Sequence, residues 1–375
     1  MRKGIMKKLS LIFLVVVGLA GCAEEKEQKS QSIPLQGQWL TESTGDVMLD
    51  PQTSGLKSWR GKLLSVSDGS ADISQRKQLH VIEPKNALVL EESLLFVMSE
   101  AVQQSCFAAY LNDAPDLEAL AVDPRNDKVF VVVTEDATRG ESMSESCFEK
   151  YRNSGSTDYP TLLVRLELQD DNSLLITHVR PLQFEASLNI GNFPNDGIEA
   201  MTFGPDGTLY LGLEKDKQVN ARIFSVKVED SFWASDDFVQ VTDLELRLPK
   251  FESGNHPINA MDYLPRTNHP GYLVAAARND NNIWLVDLKK QHETKIIPVH
   301  YYAPTNSNDP NCGQWELMNN ASLEGLAVVG DKIWMINDPW KKYYKENVVC
   351  ETNRTKYEQM APLLFSMPID PNWFN

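Results

Sequence analysis

One short pattern of apolar and polar positions recurs along most of the chain. Four segments align without gaps, at 117–123 (LEALAVD), 198–204 (IEAMTFG), 258–264 (INAMDYL) and 323–329 (LEGLAVV), and 53–59 (TSGLKSW) is a degenerate fifth copy. Each is followed by a second apolar run that ends in a polar group: 62–68 (KLLSVSD), 128–135 (KVFVVVTE), 208–214 (TLYLGLE), 271–278 (GYLVAAAR) and 332–338 (KIWMIND). Two further strand-like runs usually come next, for example 161–169 with 173–179, and 221–228 with 238–246. Four strands per repeat, recurring every ~60–80 residues, predict an all-β chain folded as a β-propeller of four-stranded blades. The count favours five blades, with six as the alternative if the interval between Glu118 and Glu199 holds another. The last repeat shows one clear strand after its second, and the N-terminal run 35–40 (LQGQWL) is expected to supply the missing strand and close the ring. Trp284, Trp334 and most methionines read as core between blades.

In a propeller the first strand of each blade lines the axis and the second runs antiparallel beside it. The start of the first and the end of the second then share one face. The first-strand set there is Ser54, Glu118, Glu199, Asn259 and Glu324; the second-strand set is Asp68, Glu135, Glu214, Arg278 and Asp338. Seven carboxylates around one cation require neutralisation, by a bound cation, by raised pKa values, or by Arg278 and backbone amides. Glu118, Glu199, Asn259 and Glu324 offer the oxygen ligands of Ca²⁺ or another hard divalent cation, with Asp68 and Asp338 nearby. The other readings are capping of backbone groups between blades and a metal-free ligand site. Trp315, Trp340, Tyr343 and Tyr344 would form an aromatic patch if they gather over the channel.

The cysteines follow the same register. Cys106 precedes Glu118 by 12 residues and Cys312 precedes Glu324 by 12, while Cys147 and Cys350 follow those glutamates by 29 and 26. This predicts disulfides Cys106–Cys147 and Cys312–Cys350, pinning the long loops 137–159 and 339–362 as walls over the channel mouth. The fifth cysteine, Cys22, stands apart. Before it, Arg2, Lys3, Lys7 and Lys8 precede an apolar run at 11–17, too short to span a bilayer but fit for a signal peptide. Leu19-Ala20-Gly21-Cys22 looks like a bacterial lipobox, so the thiol is expected to carry the lipid. Ala23 in place of an aspartate favours the outer membrane, facing the periplasm or the cell surface. The expected organisation is a signal peptide at 1–21, a lipidated flexible tether at 22–33 and a single propeller at 34–375.

Removing residues 1–21 takes four of the 36 basic residues and none of the 52 acids, leaving a net charge of −20. Such a surface repels a phosphate backbone and excludes nucleic acid as a partner. The chain carries no GxSxG, GxxxxGK[ST], HExxH or CxxC motif. His256 reads as a surface loop residue. Any chemistry is therefore expected to use a cation-activated water, with Glu135 or Glu214 taking a proton and Arg278 orienting an anionic group.

The segments 117–136, 198–214 and 323–338, each [LI]-E-[AG]-[LM]-[AT] followed by a strand ending in an acid, resemble the propeller family known for the esterase-like activity of phytase, and the related SdiA-regulated propellers. The likeness spans most of residues 50–370. It implies a propeller, divalent-cation binding and hydrolysis of an ester or phosphoester. Ser54 and Asn259 depart from the acid of the repeat, and the disulfide loops look like additions. Two functions follow: a membrane-anchored envelope hydrolase acting on a small ester or phosphoester, or a non-catalytic lipoprotein whose propeller face binds a carbohydrate, peptide or protein. In either case, Cys22→Ala should abolish incorporation of radiolabelled palmitate and release the protein from the membrane fraction; label retained in the variant would remove Cys22 from the lipid site.

Overall fold

The computed structural model describes residues 32–374 apart from 136, 138–142, 193, 196, 252, 255, 279 and 306–311. The signal segment and Cys22 lie outside the described residues. From Ile33 onward the chain is mostly strand, and the strands form successive antiparallel meanders. Their inner strands are Thr53–Trp59, Leu117–Val122, Ile198–Phe203, Ile258–Arg266 and Leu323–Val329, the segments that the repeat pattern aligns. Each packs on the next, and Leu323–Val329 packs back on Thr53–Trp59, so the ring of inner strands is closed.

The second strands are buried on both faces because each blade is sandwiched between two others. Val129–Thr134 (VFVVVT) is buried at every position, and its β-branched residues suit that setting. Between the third and fourth meanders, Ala200 and Ile223 meet Ile258, Leu273 and Trp284 in one cluster. Trp284 is fully buried there, whereas Trp334 is partly buried against the core between the fifth and first meanders.

Closure divides the N-terminal run in two. Gln38–Trp39 pairs antiparallel with Leu363–Pro368 as the outermost strand of the last meander, in the register Gln38↔Leu364 and Trp39↔Leu363. Ile33–Gln36 instead pairs parallel with Lys295–Pro304 of the fourth meander, which the sequence pattern did not predict. Gly37 lies between them, donating its N–H to Tyr302 O (2.8 Å). A Cβ at Gly37 would stand 2.6 Å from the Phe365 ring and 2.8 Å from Leu363, so glycine lets the chain step between blades. Other outer edges are also covered. Leu94–Met98 pairs with both Gln78–Glu83 and Leu174–Gln183, merging the first two meanders into one ten-stranded sheet. Pairing of this kind leaves fewer free edges for another chain to add to.

A polar tie crosses the axis. Lys57 on the first inner strand donates to Met261 O (2.6 Å) and Leu326 O (3.1 Å) and pairs with Asp262 (3.2 Å) on the fourth. Asp262 also accepts from Thr202 Oγ1 (2.6 Å) and Val328 N (2.7 Å). One buried pair thus joins four of the five inner strands, and the first and fourth are not neighbours in the ring. Burial depresses the Lys57 pKa, and the Asp262 charge opposes that shift. Removing one partner strands a buried charge. Asp262→Asn should therefore lower unfolding stability by about 3–5 kcal/mol, and Lys57→Met with Asp262→Leu together should cost less than the two singly. Denaturant titration reads both; an unchanged midpoint for Asp262→Asn would show the tie to be dispensable.

Candidate functional site at the mouth of the ring

Every inner strand carries one extra residue at the same level. The ladder skips Glu118, Glu199, Asn259 and Glu324 in the second to fifth meanders, and Gly55 in the first. A β-bulge breaks the two-residue alternation and re-aims a side chain. Gly55 adopts φ +72°, and a Cβ there would lie 2.9 Å from Leu120 N. The second strands end in register with these bulges: Asp68, Glu135, Glu214 and Asp338 each follow the last strand residue. Their backbone N–H groups donate to Gln52, Asp116, Gly197 and Ser322, each one residue before an inner strand. Of the two predicted sets, Asp68, Glu118, Glu135, Glu199, Arg278, Glu324 and Asp338 thereby line one cavity of about 140 Å³.

Asp68, Asp116, Glu118, Glu135, Glu199, Glu324 and Asp338 line that cavity, and Glu214 lies against Glu135 and Glu199. Arg278 is the one cation among the described lining residues. The carboxylates fall into two triads, Asp68–Asp116–Glu118 and Glu135–Glu199–Glu214, with oxygens within 4.8 Å of one another in each. The expected quartet Glu118, Glu199, Asn259 and Glu324 is thus distributed rather than gathered. Glu118 belongs to one triad and Glu199 to the other. Glu324 is ion-paired to Arg278, and Asn259 donates Nδ2 to Glu199 (3.3 Å). Glu135 and Glu214, expected to handle protons, share the second triad.

Ser54 and Asn259 now have a physical reason. Ser54 stands between Glu324 and Glu118 in the ring, with its Oγ 3.5 Å from one and 3.3 Å from the other. Asn259 stands between Glu199 and Glu324. Each neutral residue separates two carboxylates and offers a donor where an acid would add repulsion. Glu118 and Glu199 are adjacent with nothing between them. Some acids do cap backbone: Asp68 accepts from Ser70 N (2.5 Å) and Ala71 N (3.1 Å), Asp116 from Gly69 N (2.8 Å), and Glu135 from Gly197 N (2.6 Å). Two buried acceptors, Asn259 Oδ1 and Asp338 Oδ1, have no hydrogen-bond partner among the described residues.

Burial dominates the electrostatics. It pushes the Glu118 carboxyl well above the usual range, with the Glu199, Asp116 and Asp68 charges adding to the shift. Burial does the same to Glu135, reinforced by Glu199 and Glu118 and opposed by the Gly197 N–H. Asp338 is raised to about 8 by burial, although Arg278 pulls the other way.

Both disulfides form as the register predicts, with Cα–Cα separations of 5.6 Å for Cys106–Cys147 and 5.8 Å for Cys312–Cys350. The second loop does wall the mouth: Trp340 lines the cavity and Pro339 O accepts from Gln52 Nε2 (3.1 Å). Glu316 anchors it from below, accepting from Val349 N (3.1 Å), Cys350 N (2.6 Å) and Asn353 Nδ2 (2.6 Å). The first loop does so only in part. Its helix Glu145–Tyr151 turns to the connection that follows Arg222–Lys227, where Lys150 pairs with Asp236 (2.8 Å) and Tyr151 packs on Phe238. Its described residues do not line the mouth cavity itself, since Tyr151 is buried against Phe107 and Phe238, but Ser156 and Thr157 line a small pocket with Glu135 and Gly197. The aromatic patch shrinks likewise. Trp340 and Tyr343 form an edge-on pair at the rim, but Tyr344 is fully buried and donates to Ala361 O (2.6 Å), and Trp315 sits in an edge strand.

Asp116, absent from the predicted sets, stands one residue before its inner strand. The same position in the other repeats holds Gln52, Gly197, Pro257 and Ser322, so no recurring polar signal marks it.

Neither a family model nor a curated protein sequence matches the chain. Among solved structures it is similar to the PQQ-bound aldose sugar dehydrogenase of Streptomyces coelicolor, at 11% identity over 85% of this chain and 95% of that one, with a TM-score of 0.40. It is also similar to the allergen Mala s 1 of Malassezia sympodialis (9%, 85% and 94%, 0.43). A third is the periplasmic gluconolactonase of Pseudomonas aeruginosa (8%, 60% and 50%, 0.31). At these values the likeness carries nothing about ligand or reaction.

The raised carboxyls bind protons more tightly in the folded chain than in the unfolded one. Their contribution to stability is whole below the unfolded values of about 4 and is lost as pH rises through the folded values. For Asp338 that loss begins near the unfolded value of about 4 and is complete near the folded value of about 8. In chelator, the melting temperature should therefore fall as pH rises from about 4 to about 8 and level off above that, and Asp338→Asn should flatten the fall. A parent protein with no such decline would contradict the raised Asp338.

Proposed function

We propose that the chain is an envelope lipoprotein whose acidic mouth binds a divalent cation and receives a small anionic ester or phosphoester there. The carrying observation is the imbalance of eight buried or half-buried carboxylates around one arginine. Protonation relieves part of it, and Arg278 offsets one charge. The Glu135–Glu199–Glu214 oxygens, with the unpartnered Asn259 Oδ1 beside Glu199, make the donor set that a hard cation takes. The residues present fit such an ion.

When bound, the cation would polarise an ester or phosphoryl oxygen and lower the pKa of a water. The chain's own groups would do the rest. Arg278, its side chain 20% exposed and held by Glu324, orients an anionic substituent at the mouth. Glu135 is pushed toward the protonated form and fits the role of a group that holds or takes a proton. Trp340, 38% exposed, forms a wall against which an apolar part of the ligand rests.

The resemblance to the propellers known for the esterase-like activity of phytase agrees with this reading. The two disulfides support an oxidising compartment. With the lipid on Cys22, the outer membrane is the place we assign. A second reading, binding without turnover, draws on the Trp340–Tyr343 pair at the rim, whose centroids lie 4.7 Å apart.

Calorimetric titration of the mature lipoprotein in detergent with Ca²⁺ should show binding that Glu199→Gln weakens by roughly tenfold or more. Equal affinity in the variant would move the cation elsewhere. Phosphoester and lactone substrates, turned over with Ca²⁺ and not with chelator, would mark the hydrolase; binding without turnover would mark the second reading.

A further inference from the structure

Beside the mouth, a second cleft of about 610 Å³ lies between the third and fourth meanders, a volume ordinary for a small-ligand site. It belongs to the same face. Asp216 in its wall stands two residues after Glu214, and Phe251 and His256 lie in the connection entering the inner strand Ile258–Arg266. No part of the mouth cavity is shared with it among the described lining residues.

The cleft has one aromatic wall. Phe251 is 39% exposed and stacks on His256, with centroids 3.6 Å apart and planes 14° from parallel. It also lies 25° from parallel to Trp284, at 5.9 Å. His256 is fixed from both nitrogens, by Asp280 Oδ1 (2.5 Å) and Ser253 O (2.9 Å), so this platform is built rather than loose. Trp284 is 1% exposed, yet its indole N–H has no partner among the described residues. A buried donor without an acceptor is costly and calls for an explanation.

The polar wall narrows the ligand. Arg222 is held by Asp216 (3.2 Å) and Asp243 (3.6 Å) and donates to Leu188 O (2.9 Å). Arg222 is thus neutralised, and the one other cation of the described lining, Lys250, shares it with Asp216, Asp243 and Glu245, so the cleft keeps an excess of acid that disfavours a phosphate. An amine would suit the carboxylates but offers no acceptor to the indole. A sugar ring has a flat C–H face for Phe251, hydroxyl oxygens that accept from Trp284, and hydroxyl protons for Asp216 and Asp243.

We propose that this cleft is a carbohydrate subsite that takes a neutral pyranose ring. It stands independently of the cation at the mouth. The mature lipoprotein, ¹⁵N-labelled at tryptophan and held in a sugar-free detergent, would be titrated with glucose, maltotriose and chitotriose, with choline and inorganic phosphate as comparators. The Trp284 indole resonance, identified by its loss in Trp284→Phe, should shift with a saccharide and not with the comparators. Phe251→Ala, at a half-exposed position, should weaken that saccharide by about tenfold while leaving the melting temperature unchanged. Ligand-observed saturation transfer gives the same comparison without the Trp284 variant. Glucose alone separates a free monosaccharide from a ring read within a chain. Chelator should leave the affinity unchanged, which separates this site from the one at the mouth. The proposal fails if no saccharide binds, if choline or phosphate moves the resonance instead, or if Phe251→Ala binds the saccharide as tightly as the parent.

Discussion

The single extra residue in each inner strand sets what the axis of this protein holds. A regular strand sends alternate side chains to opposite faces, and a polar residue at the second position would then keep step with the core residues around it. The bulge breaks that step at one level of all five inner strands. Polar groups that the apolar pattern would otherwise scatter are brought to one ring, where the ends of the second strands add a further set. Everything unusual about the mouth follows from that concentration.

A ring of acids in a low-dielectric setting is tolerable only when its neighbours are chosen. Ser54 and Asn259 break the run of carboxylates and donate to them, Arg278 holds Glu324, and amides of Gly69, Ser70, Ala71 and Gly197 satisfy single oxygens. Deeper along the axis the solution changes. Lys57 and Asp262 satisfy each other and the backbone around them, so that level is closed and structural. The mouth keeps acceptors without partners, and the tie below it does not. This contrast in satisfaction, more than the count of acids, separates a place that receives something from a place that holds the ring together.

The repeat made the inner and second strands legible, because each copy places apolar residues at the same offsets. The register of the cysteines made both bridges legible for the same reason. Other features escaped. Asp116 lies just outside the repeat, where the other copies hold unrelated residues. Lys57 and Asp262 read as ordinary alternating polar positions, and nothing local says that they face each other across an axis. The split of the expected quartet into two triads depends on side-chain reach between neighbouring blades, which strand spacing alone does not encode. The cysteine register places the loop 137–159 over the mouth, but the burial of Tyr151 beside Phe238 draws its helix Glu145–Tyr151 away from the cavity.

The pairing of Gln38–Trp39 with Leu363–Pro368 carries a kinetic consequence. The first residues of the domain to be made are held waiting for nearly the last. Until the C-terminal strand arrives, Gln38–Trp39 has no partner in the final meander, and Ile33–Gln36 has no Lys295–Pro304 to lie against for most of that time. The entropy of joining such distant segments grows slowly with their separation, so the finished ring suffers little, but the pathway to it is long and non-local. A growing chain of this kind exposes open sheet edges until the circle shuts.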